Sequence, residues 1–361
     1  MTFERKQTKR LYVRDVPVGG NAPVAVQTMQ NTNTKDVDAT VRQIHEVAEA
    51  GCEITRVAVP DRAAAAALAD IVRQSPIPVV ADIHFKADLA LRSIEAGCDA
   101  LRINPGNIGS EEGVAAIAEA AKKAGIPIRV GVNSGSVHAD IRDEFGGINE
   151  KSICHSAIRS VAMLEKYGFT DICISVKASD PGLTIKTYRE MSRLTDYPLH
   201  LGVTEAGTER EGIIRSSVGI GTLLAEGIGD TIRVSLTADP VKEIGAAYSI
   251  LRSLALRDRG AMLVSCPTCG RTEVDLTEMA ARIEDYLSTV KEPIKVAVMG
   301  CVVNGPGEAR EADCGIAGGR EKYMIFRKGE RVKTVPETEA MNALIEEIER
   351  CRAAYRETTE E

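Results

Sequence analysis

From residue 24 to about residue 255 the chain alternates between two hydrophobic rhythms. Short runs rich in Val, Ile and Leu give way to turns. Longer Ala/Glu/Arg stretches follow, with apolar residues returning every three or four positions. The first rhythm marks buried strands and the second amphipathic helices. Eight strand segments result: 24–29, 54–59, 78–83, 100–104, 128–133, 172–177, 199–205 and 231–236. Helical stretches fall between them at 36–50, 62–74, 86–96, 111–124, 149–167, 183–194, 210–226 and 240–256. Several helices run into a glycine, as in Glu49-Ala50-Gly51, Glu95-Ala96-Gly97, Lys123-Ala124-Gly125 and Lys166-Tyr167-Gly168. Glycine there is the expected left-handed cap.

Eight β–α units without an all-polar linker predict an α/β fold, a (β/α)₈ TIM-type barrel. An open doubly wound sheet is the competing arrangement. Against it, no GxGxxG follows the first strand and no P-loop occurs. Gly219-Ile220-Gly221 lacks a third glycine and reads as packing. The rhythm breaks after Asp258-Arg259-Gly260. Beyond it the pattern predicts a strand at 261–265, a helix at 272–289 and a strand at 294–299. A hairpin at 322–335, turning at Lys328-Gly329, and a helix at 337–355 complete it. The expected organisation is a barrel over 1–258 and a small α+β domain over 259–361.

Composition narrows the class. The 361 residues are 44% hydrophobic, enough for a sizeable core, and lack Trp, so the core is aliphatic. The net charge of −7 argues against a nucleic-acid binder and requires a local basic pocket for any anionic substrate. The opening Met1-Thr2-Phe3-Glu4-Arg5-Lys6 lacks the apolar core of a signal peptide, and no apolar run is long enough to span a membrane. Nine scattered cysteines suit a reducing, cytoplasmic setting.

Active-site residues of such barrels come from the C-terminal ends of the strands, and residues i and i+2 of a strand share a face. Polar pairs recur there: Asp82 and His84, Arg102 and Asn104, Arg129 and Asn133, Ser175 and Lys177, Arg233 and Ser235. Arg56 and Glu205 come from two further strands. Each cation alone has an ordinary explanation as a snorkelling or paired residue. Five from five strands (Arg56, Arg102, Arg129, Lys177 and Arg233) would repel one another unless an anion sat among them. A diphosphate suits them. Asp82 and Glu205 are the carboxylates of this ring. A raised pKa would fit either for proton donation; the alternative is an ion pair with a neighbouring arginine.

Cysteine chemistry concentrates near the C-terminus. Cys266-Pro267-Thr268-Cys269 brings two sulfurs together, and Cys301 stands on the turn Gly300-Cys301-Val302-Val303-Asn304-Gly305-Pro306-Gly307-Glu308. Cys314 would complete a closed zinc site, whereas Glu308 lies nearer to Cys301 and would give a site with an open corner. No His occurs in 262–361, and the motif favours an iron–sulfur cluster over zinc. Cys52, Cys98, Cys154, Cys173 and Cys351 read as small buried apolar residues. Two rival readings remain. One is a non-redox aldolase or lyase using Lys177 as a Schiff base, with a structural zinc. The other is a binding protein without turnover.

The motif set Cys266-Pro267-Thr268-Cys269-Gly270-Arg271 and Met299-Gly300-Cys301-Val302-Val303-Asn304-Gly305-Pro306-Gly307-Glu308, behind Val80-Ala81-Asp82-Ile83-His84-Phe85, Leu101-Arg102-Ile103-Asn104-Pro105-Gly106-Asn107 and Gly131-Val132-Asn133-Ser134-Gly135-Ser136, closely resembles the bacterial 4-hydroxy-3-methylbut-2-enyl diphosphate synthases. The resemblance runs nearly end to end and matches their two-domain form. It implies reductive ring-opening and dehydroxylation of 2-C-methyl-D-erythritol 2,4-cyclodiphosphate in the non-mevalonate isoprenoid pathway. It further implies a [4Fe-4S] cluster on Cys266, Cys269, Cys301 and Glu308. Arg56, Arg102, Arg129, Lys177 and Arg233 would hold diphosphate, with Asp82, His84, Asn104, Asn133 and Ser235 in support. Glu205 would donate or orient a proton, and Asn304 would lie near the cluster. The resemblance also implies a flavodoxin or ferredoxin as electron donor and a head-to-tail homodimer.

Overall fold

The computed structural model describes residues 4–270, 272, 274–301, 309–319 and 322–360. They form two compact units, Met1–Arg257 and Asp258–Glu361.

The first unit opens with a hairpin that the hydrophobic pattern did not predict. Strands β1 (Leu11–Val13) and β2 (Val16–Val18) pair antiparallel. Strands of three residues are too short to show a period. The eight expected strands follow as β3 (Ala25–Met29), β4 (Ile54–Ala58), β5 (Val79–Asp82), β6 (Ala100–Ile103), β7 (Ile128–Asn133), β8 (Ile172–Lys177), β9 (His200–Leu201) and β10 (Thr231–Ile232). They run parallel in the order β8-β7-β6-β5-β4-β3-β10-β9, and the bridge between Ile174 and Leu199 joins β8 to β9. The sheet therefore closes on itself, which rules out the doubly wound alternative. The last two strands are shorter than the sequence suggested; Glu205, Arg233 and Ser235 stand beyond them.

The intervening helices are α1 (Val37–Ala50), α2 (Arg62–Gln74), α3 (Ala87–Glu95), α4 (Glu111–Ala124), α5 (Ala139–Glu144), α6 (Glu150–Glu165), α7 (Pro181–Leu194), α8 (Glu209–Ala225) and α9 (Pro240–Ser253). Their starts are set locally. Asp61 accepts from Ala64 N at 2.9 Å, and Asp180 and Asp239 cap helices whose first residues are Pro181 and Pro240. Gly51, Gly97, Gly125 and Gly168 all have positive φ, as the helix ends suggested.

Inside the barrel, alternate residues point inward. The first inward positions of five strands (Ala25, Ile54, Val80, Ala100 and Cys173) pack against Leu11, Val13 and Val18 of the hairpin. The hairpin thus stoppers the N-terminal end of the barrel with an apolar floor. A cavity of about 30 Å³ lies here, lined by most of these residues together with Gln27, Arg129 and Thr231. Above this layer the interior becomes polar.

The second unit is a five-stranded sheet, β11 (Met262–Ser265), β12 (Lys295–Met299), β13 (Cys314–Gly319), β14 (Lys322–Arg327) and β15 (Glu330–Pro336), in that order. The first three strands are parallel and the last two are added antiparallel. Helices α10 (Leu276–Leu287) and α11 (Glu337–Glu360) cover one face through Ile283, Leu287, Leu344 and Ile348. The sequence reading missed β13, because Cys314-Gly315-Ile316-Ala317-Gly318-Gly319 resembles a loop in composition. Its glycines answer to crowding instead: a β-carbon on Gly315 would lie 2.5 Å from Phe326 Cζ and 2.6 Å from the Ala297 carbonyl. Among the described residues no helix is long and apolar enough to cross a membrane.

Candidate active site

The inward alternation above the apolar floor collects Met29 and Arg56, Asp82, Arg102, Gly131, Lys177, Gly202 and Arg233. Asp82, the last residue of β5 and 3% exposed, is the hub. Its Oδ1 accepts from Arg102 Nη1 at 3.2 Å. Its Oδ2 lies 3.6 Å from Arg56 Nε and 3.7 Å from His84 Nε2. Arg102 also donates to the Gly131 carbonyl at 3.3 Å, and its Nη1 lies 3.5 Å from His84 Nδ1. Arg56 places its Nη2 3.0 Å from the Met29 sulfur, a weak acceptor, and Arg233 Nη1 approaches the same sulfur at 3.8 Å.

Of the two readings open for Asp82, proton donor or ion-pair partner, the structure selects the ion pair. Burial alone would raise its pKa, but Arg56 and Arg102, aided by His84 and Arg129, hold it below the ordinary carboxylate range. Asp82 is a fixed anion that orients two guanidinium groups.

Arg233 has a partner that strand reasoning did not find. Glu243, buried in the first turn of α9, receives its Nε and Nη2 at 3.2 Å each, and also Thr28 Oγ1 at 2.6 Å. An acidic residue in a first helical turn usually faces water and the helix dipole, so nothing in the spacing signals this inward reach.

The remaining cations lack such compensation. Arg129 donates to Gln27 Oε1, while its Nε and Nη2 have no partner among the described residues. Lys177, at the end of β8, has no carboxylate partner among the described residues. Burial lowers Lys177 well below the usual lysine range, and Arg56, Arg233, Arg129 and Arg102 push the same way. Burial likewise brings Arg129 down to about 10. Arg56 is lowered by burial against the opposing pull of Asp82. Five cations face two carboxylates, and the surplus is desolvated. Such a surplus calls for a multiply charged anion.

Two glycines make room for these groups. A β-carbon on Gly131 would stand 2.3 Å from Arg102 Nε, and one on Gly202 would stand 2.5 Å from Lys177 Nζ. At the rim, Asn104 accepts from Gly106 N at 3.2 Å and leaves Nδ2 without a partner among the described residues. Asn133 ends β7, its N–H donating to Ser136 Oγ at 2.9 Å. Ser235 is half-buried two residues past Arg233. Glu205 is exposed, adopts a left-handed φ of 54°, and accepts from Ser179 Oγ at 2.7 Å. One inward residue escaped the sequence reading altogether: His200 on β9 is fully buried, and neither ring nitrogen has a partner among the described residues.

In the second unit, Cys266 follows β11 and Cys301 follows β12 by two residues. These strands are parallel neighbours in which Ser265 pairs with Val298, so both cysteines emerge at one edge. Gly300 N donates to Cys266 Sγ at 3.2 Å. Cys269 is exposed three residues further on, and its N–H donates to Thr272 Oγ1 at 3.1 Å. Among the described residues no three potential ligands already converge; Asn304 and Glu308 lie outside the described residues. The donor chemistry suits an iron–sulfur centre: soft thiolates at one sheet edge, with a backbone N–H aimed at sulfur. Cys314 is excluded as a neighbour. It pairs in register with Val296, at the opposite end of the sheet, and neighbours Cys351 of α11. Cys351 is half-buried rather than a core residue.

Residues 8–248 match the family model described as the GcpE TIM-barrel domain, and residues 262–350 match the GcpE protein C-terminal domain. A protein of Caldanaerobacter subterraneus named 4-hydroxy-3-methylbut-2-en-1-yl diphosphate synthase (flavodoxin) is 54% identical over 346 residues, covering 96% of this chain and 98% of that protein. One of the same name from Maridesulfovibrio salexigens is 55% identical over 333 residues, covering 92% and 93%. A truncated 3-deoxy-D-arabino-heptulosonate 7-phosphate synthase from Thermotoga maritima superposes with a TM-score of 0.50 at 12% identity, covering 69% of this chain and 91% of that one, a likeness of the barrel fold alone. With both of its units matched and its sequence shared over nearly full length, the chain belongs to the GcpE family.

Proposed function

We propose that this chain is an oxidoreductase that converts 2-C-methyl-D-erythritol 2,4-cyclodiphosphate to (E)-4-hydroxy-3-methylbut-2-enyl diphosphate. The reading rests on the uncompensated cations inside the barrel, above all Lys177 and the unpartnered face of Arg129. The names carried by relatives more than half identical to this chain support it.

Arg56, Arg102, Arg129, Lys177 and Arg233 bind the diphosphate. Asp82 and Glu243 fix three of these guanidinium groups in advance, so little ordering remains when the ligand arrives. The ring stabilises the phosphate oxygen that becomes a leaving group when the cyclic diphosphate opens. His84, Asn104, Asn133 and Ser235 orient the ligand by hydrogen bonds. Glu205, hydrogen-bonded to Ser179, holds or delivers the proton that completes the departing water.

Cys266, Cys269, Cys301 and Glu308 would hold a [4Fe-4S] cluster, with Asn304 beside it. When bound, the cluster supplies electrons one at a time, two per turnover, drawn from flavodoxin or ferredoxin. A homodimer arranged head to tail would bring one subunit's cysteine unit to its partner's barrel and exclude water from the reaction. The protein works in the cytoplasm.

The test is anaerobic purification, iron and sulfide analysis, and turnover of the cyclic diphosphate with a reduced flavodoxin. About four irons and four sulfides per chain with product formation are expected. Zinc without sulfide, and no turnover under any reductant, would refute the reading.

A further inference from the structure

His200 is a buried, inward-facing side chain of the polar layer that no role above uses. Two residues before Gly202, whose missing β-carbon faces Lys177, it shares that residue's inward direction. The side chain is fully buried, and Nδ1 and Nε2 both lack partners among the described residues. A buried imidazole rarely stays unsatisfied, because each unpaired polar atom carries its full desolvation penalty. The charge that acts on it most strongly is Arg129, whose Nε and Nη2 are unpartnered as well. Thr231 is the Cα register partner of His200 across β9 and β10, and its hydroxyl is a third unpartnered group. Unsatisfied atoms on three strands thus face the barrel interior, and two of their residues, Arg129 and Thr231, line the same small cavity.

These atoms form a matched set for a phosphoryl oxygen. We propose that His200 is a diphosphate-binding residue, donating one ring N–H to the phosphoryl group that the free face of Arg129 also meets, while Thr231 donates its hydroxyl to the other ring nitrogen. Burial keeps the imidazole neutral, and Arg129, Lys177, Arg56 and Arg233 act in the same direction. A neutral imidazole has one donor and one acceptor nitrogen. Once the ligand draws the two side chains together, the Thr231 hydroxyl takes the acceptor and fixes the tautomer that leaves the donor for the ligand. The phosphoryl group that meets Arg129 thus gains a second, uncharged contact from His200.

The inference rests on the diphosphate reading above, and the experiment separates the two. Inorganic pyrophosphate is titrated calorimetrically into anaerobically purified holoenzyme, wild type, His200→Gln and His200→Leu, with melting temperatures recorded alongside. The leucine variant is expected to lose about tenfold or more in affinity, as for a hydrogen bond to a charged group. The glutamine variant, which keeps an amide donor, is expected to retain most of it. A folded leucine variant that binds as tightly as wild type overturns the role of His200 and leaves the cationic ring standing. Failure of wild type to bind pyrophosphate overturns the ring reading and this inference with it. Should the leucine variant not fold, imidazole ¹⁵N resonances of the wild type decide. A shift of the His200 ring nitrogens on adding pyrophosphate supports the contact, and an unmoved pair rejects it.

Discussion

Gly131 lies so close beneath Arg102 that a β-carbon there would stand 2.3 Å from the guanidinium Nε. The absent side chain is part of how Arg102 reaches both Asp82 and the Gly131 carbonyl. Gly131→Ala is therefore expected to push Arg102 off Asp82. The cost is about 1–3 kcal/mol in urea unfolding, as for an overpacked interior, together with a raised KM for the cyclic diphosphate. Wild-type stability and kinetics in this variant would contradict the close approach.

Removing the hub should be worse than crowding it. Asp82→Asn leaves Arg56 and Arg102 buried without their carboxylate, and losing one member of a buried pair costs about 3–5 kcal/mol. Pyrophosphate is expected to restore part of that loss, since it supplies the missing negative charge. Melting curves with and without pyrophosphate read both effects. A variant as stable as wild type would show that Asp82 is not the anchor.

Binding of pyrophosphate is expected to take up protons. Burial and the neighbouring arginines hold Lys177 well below the usual lysine range in the empty ring. A bound anion opposes that, so the bound lysine stays protonated at pH values where the empty one does not. Between those two values each binding event consumes a proton, and affinity falls as pH rises through the window. Calorimetry in two buffers of different ionisation enthalpy measures the uptake directly. An affinity that does not fall as pH rises toward the usual lysine range would exclude it.

The cysteines should divide cleanly. Cys266→Ser and Cys301→Ser are expected to lose most of the iron, whereas Cys314→Ser, altered at the far end of the sheet, should keep it. Glu308→Ala is expected to retain part of the cluster while losing turnover. Iron and sulfide analysis of the four variants checks the assignment, and iron loss in Cys314→Ser equal to that in Cys301→Ser would reverse it.

Strand alternation explains why so much of the ring was legible in the sequence. Arg102 and Asn104, or Asp82 and His84, must share a face whatever the rest of the molecule does. His200 obeys the same rule but sits at the beginning of its strand, where the usual focus on C-terminal ends does not look. Glu243 was invisible for a different reason: its contact with Arg233 crosses from a helix to a strand end, and no periodicity encodes that. For Asp82 the sequence left proton donor and ion pair both open, because spacing carries no information about which charge will lie 3.2 Å away. Strand β13 was hidden by glycines that serve close packing instead of turning.

The hairpin of Leu11–Val13 and Val16–Val18 turns the barrel into a blind well. What enters by the mouth must leave by the mouth, and the outgoing diphosphate grips the same cations that the incoming one needs. Substrate and product are thus strict competitors for a single doorway. The tighter the ring holds its reactant, the more slowly the site is vacated, so the chain's throughput is bounded by how readily it lets go.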